Sequence, residues 1–248
     1  MRHRIIFVSL LVVCAGLTVW VTNMDRVGVM APFTYEDIWE QTQRHVLLMV
    51  LPSVLIATLI AVPLGVLITR GRFKRLAPSI MGVASAGMAI PSVAVLAIMI
   101  PVFLALGMSG FGIRPALVAL VLWGVLPILR NSYAAINNIN PGVLDAARGM
   151  GMTPSQIAWK IELPLALPII MAGIRVATVI LVGTATLAAI IGARGLGHFI
   201  LVGLYNSEPL ITLQGAAPAA AIAITLSVLL GYLEKLITPR GIRIETAS

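Results

Sequence analysis

The chain alternates between long apolar segments and shorter polar ones, a pattern typical of membrane-spanning helices. A helix needs about 20 apolar residues to cross the hydrocarbon core of a bilayer. Six segments are of that order or longer: residues 5–21, 46–69, 76–113, 115–135, 165–191 and 215–237. Because the third is too long for one straight span, we expect a helix kinked at Pro91 and again at Pro101, followed by a glycine-rich turn at residues 107–112. The pattern therefore predicts an all-α polytopic membrane protein with about six transmembrane helices.

Composition supports a membrane protein and argues against several other classes. Of the 248 residues, 59% are hydrophobic and 10% are charged, whereas soluble domains carry about 25% charged residues. The net charge of +8 does not indicate a nucleic-acid-binding face, because the basic residues lie between long apolar segments. Cys14 is the single cysteine, so an intrachain disulfide is excluded and a cysteine-based metal site is not expected.

The basic residues predict the orientation of the helices, since Lys and Arg are enriched in cytoplasmic loops. Placing both chain ends and residues 137–164 in the cytoplasm puts most of the 17 Lys and Arg there. These residues are Arg2, Arg4, Arg70, Arg72, Lys74, Arg75, Arg130, Arg148, Lys160, Lys235, Arg240 and Arg243. Outside are Arg26, Arg44, Arg114 and Arg194, while Arg175 falls within the fifth span.

Three regions follow from this layout. Residues 1–44 are expected to form an N-terminal transmembrane helix and an external loop. The first apolar segment lacks a small-x-small cleavage site, so we expect it to remain uncleaved. Residues 45–237 should form a single transmembrane core, and residues 238–248 a cytoplasmic tail.

The polar segment at residues 137–168 carries helix signals of its own. Asn140 is a favourable N-cap and Pro141 a favourable first helical residue, so a short helix should begin there. Gly149 and Gly151 predict its end.

A second short helix is expected immediately afterwards. Thr153 and Gln156 have the spacing of a capping box, so this helix should begin just after Thr153. It should run to about Leu163, where Pro164 and Pro168 redirect the chain. The prediction is two short helices hinged at a glycine.

This segment resembles the EAA signature of ABC-importer permeases, the cytoplasmic segment that docks onto the ATPase subunit. The spacing from the acidic residue to the glycine and then to the Leu-Pro pair matches the signature, with Asp145 where the family usually has Glu. We call residues 137–164 the coupling segment. The resemblance implies that ATPase coupling is carried by Asp145, Ala146, Ala147, Gly151, Ile161, Leu163 and Pro164.

A second motif points to one branch of that family. Residues 192–200 read GARGLGHFI and resemble the GAGGLG-like segment of permeases for methionine and for compatible solutes, with Arg194 replacing the usual glycine. Together with the Gly-Ile-Arg run at residues 173–175 and the Gln-Gly-Ala sequence at residues 214–216, the pattern looks most like the glycine betaine/choline/carnitine (osmoprotectant) permeases. The resemblance covers roughly residues 46–237. We expect His198, in the same stretch, to be a solvated loop histidine and not a metal ligand.

The resemblance implies a type I ABC importer permease fold and a multi-subunit complex in the bacterial cytoplasmic (inner) membrane. Its implied partners are two ATPase subunits, a second permease copy or homologue, and an external solute-binding protein that delivers the osmoprotectant. ATP and Mg would be bound by the ATPase chains, and no cofactor is expected in this chain.

Groups that could support catalysis are scarce. None of Lys74, Lys160 and Lys235 follows a glycine, so no phosphate-binding P-loop is present, and HExxH and GxSxG motifs are also absent. The one acidic residue within the apolar segments is Glu234, near an end. We therefore expect a transport subunit and not an enzyme, with ATP hydrolysed on a separate chain.

Small residues and prolines suggest where the transport path lies. Small side chains permit close contact between membrane helices, and a proline frees a carbonyl that can face a pore. We expect residues 88–95 and 183–187 to line the path. The candidate path or gate residues are Met88, Pro91, Ser92, Val95, Arg175, Thr184 and Thr186.

Alternatives remain for these residues and for the function. The small residues could serve ordinary helix packing, and Arg175 could snorkel or bond carbonyls of a neighbouring helix. Its positive charge argues against a cation-binding role. A permease for methionine or another amino acid is the nearest alternative function, and a channel or a lipid-modifying membrane enzyme is the alternative of another class.

Overall fold

The computed structural model describes residues 33–238, together with the isolated helical residues Gly16 and Val19. Apart from Gly16 and Val19, the predicted first span at residues 5–21 lies outside the described residues, as does nearly all of the predicted tail. The described helices are α1 Tyr35–Leu67, α2 Ala77–Met88, α3 Ser92–Ala105, α4 Ile113–Asn137, α5 Pro141–Gly149, α6 Pro154–Ile191, α7 Gly197–Tyr205 and α8 Pro209–Ile237. A short 3-10 helix, Gly71–Leu76, precedes α2.

Within residues 33–238, four helices, α1, α4, α6 and α8, are long and apolar enough to cross a membrane, and the bent pair α2 and α3 could form a fifth span. Helix α4 packs against both α1 and α6, and α8 packs against α6 and α7. Met49 of α1, Leu120 of α4 and Leu181 of α6 are fully buried in one cluster. The all-α class and the multi-helix membrane architecture predicted from the sequence are confirmed.

Small residues allow α1, α4 and α6 to approach closely. A Cβ atom added to Gly124 of α4 would lie 2.9 Å from Leu181 Cδ1 of α6 and 3.2 Å from Ala57 Cβ of α1. A Cβ on Gly173 of α6 would lie 2.5 Å from Asn131 Cβ of α4. Small residues at helix contacts permit this close backbone packing in membranes.

Residues 76–113 do not form the single kinked helix that we predicted. Helix α2 ends at Met88, α3 begins at Ser92, and their axes are bent by 102°. Pro91 has the extended backbone of a cap residue (φ −57°, ψ 133°). Because proline lacks an N–H and disfavours helical backbone in the residue before it, the helix breaks here. Pro101 lies inside α3 without interrupting it, and the predicted glycine turn is present, with positive φ at Gly107 and Gly112.

Two boundaries in the predicted external regions were wrong. Helix α1 begins at Tyr35, well before residue 46, because Thr34 and Asp37 form a capping box in the polar stretch. Residues 192–214, which separate the fifth and sixth apolar segments and were expected to form an external connection, contain α7 and the start of α8, which begins at Pro209 and not at residue 215. Proline is favourable in the first turn of a helix, where its missing N–H would have no partner.

The second helix of the coupling segment does not end at Leu163. It continues through Pro164 and Pro168 as part of α6. A π-helical turn, Ala158–Glu162, precedes these prolines, and the Leu163 N–H bonds the Ala158 carbonyl five residues back. We attribute the continuation to this wide turn, which resets the hydrogen-bond register just before Pro164, a residue that has no N–H to donate. The coupling segment is therefore one short helix, α5, joined to the beginning of a long one.

Candidate functional site

The turn between α5 and α6 has the local structure that the sequence predicts. Asn140 Oδ1 accepts a hydrogen bond from the Gly142 N–H at 2.8 Å. Thr153 Oγ1 accepts from the Gln156 N–H at 3.3 Å, and Gln156 Oε1 accepts from the Thr153 N–H at 2.8 Å. Gly151 lies between these two caps with φ +75°, a left-handed conformation that glycine adopts without steric cost.

The coupling segment presents both charged and apolar side chains at its surface. Asp145 is exposed, and its Oδ1 accepts from Arg148 Nη1 at 2.7 Å. Met150 is 73% exposed and Trp159 is 70% exposed. Of the other predicted coupling residues, Ala146 and Gly151 are exposed, Ala147 is buried, and Ile161, Leu163 and Pro164 are half-buried. Exposed aromatic, Met and Arg side chains in one segment are typical of a protein-binding surface.

An ion pair that the sequence did not reveal ties the coupling segment to the turn that follows α1. Glu162 is 4% exposed, and its Oε1 accepts from Arg70 Nη1 at 3.0 Å while its Oε2 accepts from Arg70 Nη2. A guanidinium with two parallel bonds to a carboxylate is a geometrically specific arrangement. Arg70 is one of the basic residues assigned to the cytoplasm and Glu162 lies in the coupling segment, but no sequence signal pairs them across the long stretch that separates them.

A largely apolar groove lies beside this ion pair. Its volume is about 570 Å³, and α1, α4 and α6 all contribute to its lining. The lining includes Val62, Val66, Ile136, Trp159 and Leu163, and also Arg70. Arg70 thus contributes to the groove and pairs with the buried carboxylate of Glu162.

The predicted path residues fall into two places. Pro91 and Met88 are exposed at the break between α2 and α3, and Ser92 and Val95 are half-buried on α3. Thr184 is buried near the far end of α6, and Thr186 donates to the Gly183 carbonyl at 2.7 Å. Helix α3 packs against the last turn of α6, so the two groups lie on neighbouring elements. Their lining of a path stays a prediction.

Arg175 has a carboxylate partner. Neither interpretation of this residue from the sequence included one. Its Nη1 lies 3.6 Å from Glu234 Oε2, and Glu234 is the acidic residue noted near an end of the last apolar segment. Arg175 is in α6 and Glu234 is close to the end of α8, so the pair joins these two helices. Pairing lowers the cost of placing the arginine within an apolar helix.

The glycines of the predicted external motif allow α7 to pack tightly. A Cβ added to Gly197 would lie 1.8 Å from the Thr186 carbonyl oxygen, and one on Gly215 would lie 2.4 Å from the Leu196 carbonyl oxygen. No side chain fits at either distance, so these positions require glycine. The motif and the Gly-Ala sequence in α8 therefore hold α7 between α6 and α8.

His198 lies on α7 and not in a loop, although it is exposed as predicted. Its ring makes an edge contact with Phe33, with 6.0 Å between ring centroids. Among residues 33–238, no three His, Cys, Asp or Glu side chains lie close enough together to hold a metal ion.

Comparison with known proteins identifies a matching family model. Residues 61–243 match the family described as the binding-protein-dependent transport system inner membrane component. The match includes the coupling segment, the predicted path residues and the glycine motif.

Relatives of known name are similar over most of the chain. The choline transport system permease protein OpuBB of Bacillus subtilis is 41% identical over 203 residues, which cover 82% of this chain and 89% of that protein. The osmoprotectant import permease protein OsmW of Salmonella typhimurium is 40% identical over 220 residues, 89% of this chain and 97% of the relative. The carnitine transport permease protein OpuCB of Listeria monocytogenes is also 40% identical over 220 residues, with the same coverage of both chains.

Solved structures share the fold at lower sequence identity. An inward-facing structure of the MetNI methionine ABC transporter superposes with a TM-score of 0.72 at 24% identity, covering 82% of this chain and 97% of that one. An amino acid ABC transporter crystallised with histidines gives a TM-score of 0.67 at 19% identity, covering 81% and 94%.

Proposed function

The chain belongs to the family of inner membrane components of binding-protein-dependent transport systems, and we propose that its solute is a quaternary ammonium osmoprotectant such as glycine betaine, choline or carnitine. The chain is a membrane-spanning permease subunit of an ABC importer and carries no catalytic role of its own. The proposed solute rests on one observation. The chain is about 40% identical, over most of its length, to permeases named for choline, carnitine and osmoprotectants. The structural neighbour named for methionine is 24% identical, so its likeness concerns the fold alone.

The proposed complex contains two ATPase subunits, a second permease copy or homologue, and an external solute-binding protein. The ATPase chains would bind ATP and Mg and dock on the coupling segment, with Asp145, Gly151 and the Leu163-Pro164 pair at or near the contact. Two observations support this assignment. The segment exposes Met150 and Trp159 as well as the Asp145–Arg148 ion pair, and the ion pair between the buried Glu162 and the partly exposed Arg70 anchors it to the helix bundle.

In the proposed transport path, residues 88–95 and 183–187 line the route of the solute. The break at Pro91 supports this placement, because an interrupted helix leaves backbone carbonyls free to face a polar cavity. Arg175 and Glu234 would form a gate that joins α6 to α8 in the observed state and separates when the helices move apart. Such a gate needs no solute-binding role for the arginine, whose charge repels a quaternary cation.

Uptake into proteoliposomes tests the proposed function. The permease, its ATPase and its solute-binding protein should import labelled glycine betaine, choline or carnitine with ATP inside, and excess methionine should not compete. Import of methionine alone would contradict the choice of solute. Purification of the chain without a stoichiometric ATPase, together with passive solute flux, would favour the channel alternative.

We expect the coupling segment and both termini to face the cytoplasm of the bacterial inner membrane. Ser155 is exposed at the start of α6, so a Ser155→Cys variant in a Cys14→Ser background should not react with an impermeant thiol reagent in intact cells. Spheroplasts replace intact cells if an outer membrane is present. The same cysteine should react after permeabilisation, which serves as the positive control. Reaction before permeabilisation would contradict the orientation.

Selectivity for the quaternary amine should reside mainly in the solute-binding protein. Such cations are recognised by aromatic faces arranged as a cage, and the chain has 4 Trp, 4 Tyr and 6 Phe. The two aromatic residues within α4 are engaged in helix packing, Trp123 against one apolar cluster and Tyr133 against another. We therefore expect the purified permease–ATPase complex to bind glycine betaine weakly without its binding protein. Micromolar, selective binding that is abolished by Trp123→Ala would contradict this expectation.

A further inference from the structure

A cavity rich in arginine opens at the end of the bundle opposite the coupling segment. Its volume is about 440 Å³, and it is lined by Arg44 of α1, Arg114 of α4 and Arg194, which follows α6. Helices α4 and α6 both run between this cavity and the coupling segment, so the two sites lie at opposite ends of the same helices. Three segments far apart in sequence thus bring three guanidinium groups to one cavity, which we call the arginine cavity.

Most of this positive charge has no partner in the described part of the chain. Arg44 Nη2 lies 2.9 Å from Glu40 Oε1. Among residues 33–238, neither Arg114 nor Arg194 has an acidic oxygen within 4.0 Å. Asp37 and Glu40 line a smaller cavity together with Arg194, but the Asp37 carboxylate is already bonded to Thr34 and the Glu40 carboxylate to Arg44. Two exposed guanidinium groups therefore present N–H donors in the geometry that suits a carboxylate.

The surroundings of the cavity favour a protein as the source of that carboxylate. Phe111, 59% exposed, lies on the lining, and the exposed Met108 lies in the same turn. Aromatic, Met and Arg side chains are enriched at protein interfaces. The cavity does not suit the quaternary ammonium group of the solute, because three arginines repel a cation and one aromatic ring does not form a cage.

We propose that the arginine cavity receives an Asp or Glu side chain of the external solute-binding protein. This inference rests on the proposed function, which supplies the partner, and it adds the site and the chemistry of the contact. Arg114 and Arg194 form the two open positions of the site, and Arg44 is held beside them by Glu40. Complementary charges of this kind accelerate association and fix the orientation of the two proteins.

Affinity of the solute-binding protein for the permease–ATPase complex in nanodiscs tests the proposal. Arg114→Glu and Arg194→Glu should each weaken binding by about tenfold or more, because each replaces an attraction by a repulsion. The loss should shrink as salt is raised from low to high ionic strength. Arg72→Glu makes the same change in charge near the coupling segment, where Arg72 is exposed, and should leave the affinity unaltered.

A conservative variant distinguishes the loss of a charged contact from misfolding of the permease. Arg194→Lys keeps the charge and should retain most of the affinity, and its amine should cross-link through a zero-length carbodiimide to a carboxylate of the bound protein. Mass spectrometry should then identify an Asp or Glu of the solute-binding protein on that lysine. Cross-links to Asp37 or Glu40 of the same chain alone would overturn the proposal.

Two controls separate this inference from the proposed function. The wild-type complex must first show solute-stimulated ATP hydrolysis with the binding protein, and failure there overturns the proposed function itself. If the wild type responds while both charge reversals retain normal affinity, the arginine cavity is not the docking site, although the function stands. Basal ATP hydrolysis by each variant complex reports that the complex has assembled.

Discussion

Replacing Arg70 with alanine is expected to destabilise the protein more than replacing its partner Glu162 with glutamine. Arg70→Ala leaves a carboxylate that is 4% exposed without its counter-charge, whereas Glu162→Gln leaves an arginine whose side chain is 39% exposed and can be hydrated. Removing one member of a buried pair costs about 3–5 kcal/mol, and the exposure of Arg70 places the expected loss at the lower end of that range, about 3 kcal/mol. Glu162→Gln retains an acceptor and should cost about 1–2 kcal/mol.

Thermal unfolding of the detergent-solubilised protein measures this difference. The double variant Arg70→Leu/Glu162→Leu should recover most of the loss, because the neighbouring groove is lined mainly by apolar side chains and a buried pair replaced by apolar residues is often tolerated. Arg148→Ala is the matched control. It breaks the Asp145–Arg148 pair, which is exposed on both sides, and such surface pairs contribute less than about 1 kcal/mol. Equal losses of stability for Arg70→Ala and Arg148→Ala would contradict the prediction that the Arg70–Glu162 pair stabilises the protein more than the exposed Asp145–Arg148 pair does.

Gly151→Asp is expected to abolish coupling between ATP hydrolysis and transport while the protein still inserts in the membrane. Gly151 has φ +75°, and a residue with a Cβ pays about 1–2 kcal/mol in that conformation. A Cβ added there meets no atom of this chain within 4 Å, so the expected effect comes from backbone strain and from the surface offered to the ATPase. The turn between α5 and α6 would therefore change shape where docking is proposed.

Two variants test whether backbone conformation causes the effect. Gly151→Asn should be less damaging than Gly151→Asp, because asparagine is the residue that substitutes for glycine at the left-handed position ending a helix and it adds no charge. Gly149→Asp introduces the same side chain two residues earlier, where φ is not positive and the site is open, and should retain most of the transport. The measurement is solute-stimulated ATP hydrolysis together with uptake in proteoliposomes. Normal values of both for Gly151→Asp would show that Gly151 is not needed for coupling.

Local features of the coupling segment could be predicted because their causes lie within a few residues. The Asn140 cap and the Thr153–Gln156 capping box join groups two or three positions apart. The turn glycine, Gly151, likewise reflects the steric preference of a single residue. The capping box at Thr34 and Asp37 carried the same kind of signal, and it was missed because polar residues there suggested a loop.

The prolines show where local rules stop being sufficient. Pro91 ends a helix and allows a bend of 102°, whereas Pro164 and Pro168 lie within α6. A proline always removes one N–H donor, but the neighbouring turn determines whether the helix continues. In α6 a π-helical turn precedes the prolines, and no feature of the local sequence predicted this turn.

The sequence by itself determined the membrane class, the approximate positions of the apolar helices α1, α4, α6 and α8 but not the starts of three of them, the capped turn of the coupling segment and the family resemblance. Only the tertiary structure decided which charges meet. Arg70 pairs with Glu162, and Arg175 with Glu234, while the arginine cavity draws its three arginines from three separate segments. Hydrophobic periodicity and capping act over one or two helical turns, so they carry no information about partners far along the chain. Those partners are set by the close packing of α1, α4, α6 and α8. No single segment determines that packing, because the position of each helix depends on the helices around it.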